Sequence, residues 1–223
     1  MAGERSIWRE YAEALIIAAV FLAFTNTFVV QTFYIPSGSM EDTLLIGDHL
    51  FVNRFIYGPA TFEIGKKLLP LRTVRRGDIV VFRSPQDPSK DLVKRAVGVG
   101  GDTIQLINQK LYVNDKEAGD ASFALHKDPN GFNPQRDTYG PYLVPSGHVF
   151  CMGDNRDNSY DSRFWGPLPV HLLKGRALLV YWSYGGTTAA GPQSAREKAA
   201  DLLETALGFF SKTRWARTLH LIR

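Results

Sequence analysis

Residues 14–30 read ALIIAAVFLAFTNTFVV, an apolar run that carries no charge. As a helix this run is about 26 Å long at ~1.5 Å per residue, and continuing through Phe33 brings it to the ~30 Å thickness of a bilayer's hydrocarbon core. Thr25, Asn26 and Thr27 interrupt it near its distal end. A cleaved leader would want small residues at −3 and −1 soon after the apolar run; Ala23-Phe24-Thr25 matches that poorly and lies inside the run. The sequence therefore predicts an uncleaved membrane anchor over residues 1–33. Arg5 and Arg9 precede it, which favours a cytoplasmic N-terminus and puts everything after Phe33 outside the cytoplasm.

Beyond the anchor the chain reads as β. It is 44% hydrophobic and 22% charged, a globular make-up. Strands are expected over 78–82, 92–99, 148–152 and 176–183, and a hairpin joins 103–107 to 110–113 across Asn108-Gln109. Residues 115–141 are rich in Gly, Pro, Asn and Asp and read as loop or a small insertion. The expected fold is mainly β, a largely antiparallel sheet over 34–183 with an insertion near 106–145. A linker and a basic, amphipathic helical tail fill 184–223. The net charge of +4, with no dense basic patch among aromatics, argues against a nucleic-acid partner. The single cysteine, Cys151, excludes an internal disulfide and a multi-cysteine zinc site, and its apolar neighbours Val149, Phe150 and Met152 predict a packing role.

The polar residues raise a sharper question. Ser37 and Ser39 flank Gly38 just beyond the apolar run, a composition that also suits a plain turn. A serine nucleophile needs a base, and none of the five histidines sits in a triad context. A neutral lysine can replace histidine. Lys94 lies in the strand LVKRAV, where alternation sends Lys94 and Arg95 to opposite faces, so that one can be buried while the other stays solvated. Burial would lower the lysine pKa from ~10.4; an ordinary exposed lysine is the competing reading. The stretch GDNRDNSYDSR, residues 153–163, lacks the spacing and terminal glutamate of an EF-hand, and Arg156 and Arg163 oppose a cation. A self-paired carboxylate–guanidinium loop that fixes a site suits it better.

PSGSMEDTL, RRGDIVVFR, LVKRAVGVGGD and GDNRDNSYDSRFWGPLP come after the anchor in that order. Together they resemble the boxes of bacterial type I signal peptidases over roughly residues 12–183. The resemblance implies a membrane-bound serine endopeptidase with a Ser/Lys dyad and no cofactor. It would remove signal peptides from exported precursor proteins at the outer face of the cytoplasmic membrane. Ser39 would be the nucleophile and Lys94 the general base. Ser37 would join the Ser39 N–H in an oxyanion hole, and Ser159 would orient the Lys94 amine. Asp154, Asp161 and Arg163 would form supporting ion pairs, and Phe33, Ile35, Leu44, Leu92 and Val93 would line the substrate pockets. Asp42 stands where the family commonly has proline, and nothing from residue 184 onward matches it. Other readings are a soluble self-cleaving Ser/Lys repressor, which would carry a DNA-binding module in place of the anchor, and an anchored, non-enzymatic β-domain binding a partner protein. A penicillin-binding or β-lactamase type would need a lysine three residues after Ser39, where Asp42 stands.

In the tail, Ala199, Leu202, Leu203, Ala206 and Phe210 recur at helical spacing, and Trp215, Leu219 and Ile222 extend the pattern among arginines. Two readings stay open: packing on the protein's own body, or a helix lying on membrane lipid with its arginines at the headgroups. The second implies that a chain ending at Gly191 still cleaves a soluble peptide at near-normal rate.

Overall fold

Period-two apolar alternation, broken by Gly, Asn and Asp, produces short strands, and every pairing between them is antiparallel. The computed structural model describes residues 7–24, 30–58, 71–186 and 194–222. Helix α1 covers Ile7–Phe24, and β1 (Val30–Tyr34), β2 (Asp48–Asn53), β3 (Ile79–Arg83) and β4 (Asp91–Val99) come next. Then come β5 (Thr103–Ile107), β6 (Lys110–Val113), β7 (Lys116–Glu117), the short helix α2 (Pro134–Asp137) and β8 (Tyr139–Leu143). The chain returns through β9 (His148–Met152), α3 (Ser162–Trp165), β10 (Leu168–Pro169) and the long β11 (Leu173–Ser183). It closes with α4 (Ala195–Lys212) and β12 (His220–Leu221).

Among the described residues these strands form two sheets. The eight-stranded one runs β1-β2-β11-β3-β4-β9-β10, with β12 added on β11; the four-stranded one runs β7-β6-β5-β8. Strand β3 explains the layering. Ile79 and Val81 enter a cluster with Ile35, Met40, Leu44, Leu50 and Val52. Val80 and Phe82 enter another with Ala96, Cys151 and Leu168. A strand covered on both faces reads as the continuous run IVVF rather than as an alternation. The smaller sheet packs Ile104, Leu106 and Leu111 against Val97, Phe150 and Met152. Each such side chain, fully buried, contributes about 1.5–3 kcal/mol. Cys151 is buried in the core, in the packing role expected of it.

The hairpin forms where expected. Asn108 and Gln109 both take positive φ, as do Asn114 and Asp115 at the next reversal, the backbone that two-residue hairpin turns demand. Two expectations fail. The apolar run is not one helix through Phe33: α1 is described to Phe24, and Val30–Tyr34 pairs with β2 from Val30↔Asn53 to Tyr34↔His49. Cross-strand hydrogen bonds to Asp48–Asn53 outweigh the continuity of hydropathy. Residues 139–141, the end of the stretch 115–141 that reads as loop or a small insertion, instead begin β8. Gly140 takes φ +77°, and a Cβ there would overlap the Ile104 carbonyl, so the glycine is what lets the strand approach.

The tail is split. On α4, Leu203, Leu207 and Phe210 are exposed, but Ile222 is buried in the same cluster as Ile35, Met40 and Leu44. Arg214 and Arg217 turn inward to the buried Asp48 rather than outward. The end of the tail thus packs on the protein's own body, and its two inward arginines are unavailable to lipid headgroups.

Candidate active site

The site starts where β1 ends. Ile35 continues the pairing through its N–H to the Asp48 carbonyl (2.9 Å), Pro36 and Ser37 come next, and Gly38–Met40 make one 3-10 turn. Met40 and Leu44 anchor that turn in the core, and the Leu44 N–H donates to the Met40 carbonyl (2.8 Å). Ser39, 9% exposed, is thereby directed at β4. The first N–H groups of such a turn have no acceptor within it, which leaves the Ser39 N–H available to a ligand.

Lys94 lies opposite Val80 in the β3–β4 register and is 4% exposed. Its Nζ is 2.5 Å from Ser39 Oγ. Among the described residues it forms no ion pair. Burial holds its pKa down at about 8 from 10.5, with Asp161, Cys151 and Asp154 pulling upward and Arg163 adding to the depression. Desolvation wins because no carboxylate touches the amine. A sizeable fraction of this lysine is neutral near pH 7–8, and its lone pair is then within reach of the serine proton.

The loop after β9 wraps this pair. Gly153 comes directly after Met152 with no room for a side chain: a Cβ there would overlap the Ser39 carbonyl and Ser159 Oγ. Asn155 donates its N–H to the Ser39 carbonyl (3.2 Å) and its side-chain amide to the Gly38 carbonyl (3.2 Å). Asp161 caps α3, accepts from Gly153 N (3.0 Å), and takes a two-pronged grip from Arg163 (2.9 and 2.9 Å). Asp154 accepts from the Thr43 hydroxyl (2.6 Å) and from both Nε and Nη2 of Arg95 (2.8 and 2.7 Å). The polar run is self-paired only at Asp161–Arg163; against the expectation, Asp154, Arg156 and Asp157 find their partners outside it, in Arg95, Asp120 and Arg136.

The structure sorts the expected site residues. Ser39, Lys94, Asp154, Asp161, Arg163 and Ser159 converge. Ser37 is exposed, extended (φ −135°, ψ 153°) and makes no capping bond, so its hydroxyl is free to turn toward a ligand. Ser159 Oγ is buried and has no hydrogen-bond partner among the described residues, so its expected bond to Lys94 is not formed. Ile35 and Leu44, with Phe33 and Val93 packed against them, share one cluster, whereas Leu92 packs against the cluster on the other face. Arg95 departs from expectation: it is 4% exposed, not solvated. Its fork is matched by Asp154, and Phe123 lies 4.0 Å from its guanidinium. Sequence reasoning missed Arg95, Thr43 and Asn155; for Arg95 the signal was present, since an arginine beside a buried lysine needs an acid and Asp154 was available.

His126, Asp137 and Asp157 place three possible ligand atoms within 4.8 Å of one another. Arg136 already serves as the cation there, paired with Asp137, Asp128 and Asp157 at 2.8, 2.7 and 3.3 Å.

Residues 8–182 match the family described as signal peptidase, peptidase S26. The chain is 33% identical over 208 residues to Signal peptidase I of Pseudomonas aeruginosa, a match covering 78% of this chain and 72% of that protein. It is 35% identical over 181 residues to Probable signal peptidase I-2 of Synechocystis, covering 78% and 73%. It is 29% identical over 245 residues to Signal peptidase I of Aquifex aeolicus, covering 83% and 88%. The chain belongs to the signal peptidase family, peptidase S26, as a serine protease of the signal peptidase I type.

Proposed function

We propose that this protein removes signal peptides from exported precursor proteins with a Ser39/Lys94 dyad, at the outer face of the cytoplasmic membrane. The observation that carries the reading is the 2.5 Å approach of a buried, unpaired Lys94 amine to Ser39 Oγ. Neutral Lys94 takes the serine proton as Oγ attacks the scissile carbonyl. The Ser39 N–H and the Ser37 hydroxyl donate to the developing oxyanion, a contribution of about 3–4 kcal/mol per donor. The Lys94 ammonium then returns its proton to the departing amine, leaving an acyl-enzyme. A water, deprotonated by the same amine, hydrolyses the ester and restores Ser39. Phe33, Ile35, Leu44 and Val93 supply the apolar floor for small side chains at −1 and −3, and Leu92, on the other face, takes no part in it. Asp154, Asp161 and Arg163 hold the surrounding loop, and Ser159 is within the shell that orients the amine once substrate binds.

For the membrane, the division is an anchor that ends before β1, a catalytic unit from β1 to residue 183 with its insertion, and a tail over 184–223. No helix among the described residues is long and apolar enough to cross a membrane. The support for an anchor is the surface of α1. Leu15, Ile16, Ile17, Val20, Phe21 and Leu22 are each more than 60% exposed, so none of the described residues covers this apolar stretch of the helix. Lipid is the environment that would cover it, with the N-terminus cytoplasmic. The exposed Leu203, Leu207 and Phe210 of α4 offer a second lipid contact.

The test is incubation of the detergent-solubilised protein with a labelled secretory precursor, wild type beside Ser39→Ala. The expected result is cleavage by wild type at a signal-peptide boundary and none by the folded variant. Appreciable cleavage by Ser39→Ala would remove the assignment.

A further inference from the structure

The loop from Ser39 to Asp48 has little regular structure of its own, yet it must hold the nucleophile to a fraction of an ångström. Part of what holds it comes from the far end of the chain. Arg217 Nη2 donates to the Thr43 carbonyl (3.0 Å) and to Asp48 Oδ2 (2.6 Å), and its Nε lies 3.4 Å from Asp48 Oδ1. Thr43, four residues after Ser39, donates its hydroxyl proton to Asp154 (2.6 Å), and the neighbouring Asn155 donates to the Ser39 carbonyl. Asp48 closes the other end of the loop. It is fully buried and accepts from Leu45 N (2.9 Å) and Ser183 Oγ (2.6 Å). Arg214, 3.8 Å from Asp48, donates to the Ile46 carbonyl (2.9 Å). Ile222 then packs into the cluster that contains Met40 and Leu44.

We propose that Arg217 is a positioning residue for the nucleophile, and that residues 213–222 belong to the active-site scaffold. The proposal rests on the reading of Ser39 as nucleophile. A planar guanidinium suits the task because it presents several donors in a fixed fork, so one side chain holds a main-chain carbonyl and a carboxylate together. A lysine could satisfy only part of that geometry. The consequence reverses the expectation from sequence: a chain ending at Gly191 loses the contacts that shape the Ser39 loop.

The experiment compares full-length wild type, Arg217→Ala, Arg217→Lys and the double variant Asp48→Asn/Arg217→Ala on a soluble peptide substrate. Each is assayed well below its own Tm. Arg217→Ala is expected to lower kcat by about 10- to 100-fold with little change in KM, the scale of a ~1 Å misplacement. Arg217→Lys should recover part of that loss. The double variant removes the buried carboxylate that Arg217 neutralises, so its Tm should rise above that of Arg217→Ala while kcat stays low. It therefore decides the matter if Arg217→Ala fails to fold. Lys212→Ala, which breaks only the exposed pair with Glu204, should keep wild-type kcat. A double variant that regains kcat along with Tm, or a folded Arg217→Ala with wild-type kcat, would overturn the proposal. Activity in Ser39→Ala would instead overturn the nucleophile assignment beneath it.

Discussion

Lys94 and Arg95 are adjacent on β4 and each is 4% exposed, but one faces a serine and the other a carboxylate. On one side of the strand, Arg95 has its charge answered by Asp154 in a two-point contact and its flat face covered by Phe123. On the other, Lys94 has been taken out of water with no counter-ion in contact, and its pKa falls to about 8. A buried cation that is paired holds structure together; a buried cation left unpaired gives up its proton and becomes a base. The fold arranges both within two residues because alternate strand positions meet different environments.

The contrast breaks most severely if the base is made permanent in its charge. Lys94→Arg keeps a cation but cannot lose its proton, so cleavage should fall by about 10⁴-fold, the upper range for a lost general base. Single-turnover assays on a peptide would measure it, and an active arginine variant would mean that another group is the base. On the structural side, Arg95→Ala leaves Asp154 buried without its partner and should cost about 3–5 kcal/mol in chemical denaturation. Adding Asp154→Asn should restore part of that stability; no loss in the single variant would show that the pair contributes little. The mildest effect has the opposite sign. The folded pKa of Lys94 lies below its unfolded value of 10.5, so the unfolded state binds the extra proton. The wild type therefore carries a full stability penalty below about pH 8, and the penalty disappears as pH rises toward 10.5. Lys94→Met should accordingly be inactive but more stable than wild type at pH 7 by about 3 kcal/mol. Denaturation curves at pH 7 and above 10 would detect a gap that closes; a constant gap would point to packing instead.

How much of this could be read in advance depended on whether the signal was local. The 108–109 hairpin turn and the apolar core of β3 are local and were legible. The polar loop 153–163 was legible as a self-paired cluster only at Asp161 and Arg163, two positions apart; Asp154, Arg156 and Asp157 pair with Arg95, Asp120 and Arg136, which closeness in sequence could not show. The step from Ser39 and Lys94, 55 positions apart, to a touching pair rested on family resemblance rather than on periodicity. Residues 30–33 mislead because they follow an apolar run directly and Val30 and Phe33 suit either a membrane helix or a strand; only pairing with β2 separates the two. The tail misleads for a related reason. Amphipathic spacing gives a helix an apolar face but not the surface that covers it, and nothing near Arg217 or Ile222 in sequence points to Asp48 or Leu44.

The claim that everything else serves is that a neutral Lys94 activates Ser39. Its most direct test is the pH dependence of kcat/KM on a soluble peptide with the wild-type enzyme. The account predicts a single ionisation, activity rising with pH as a group of pKa about 8 loses its proton, and a plateau above it. A rise centred near 6.5 or below would place a histidine in the role, and one delayed to 10.5 would mean that Lys94 is an ordinary, solvated lysine; either would contradict the account.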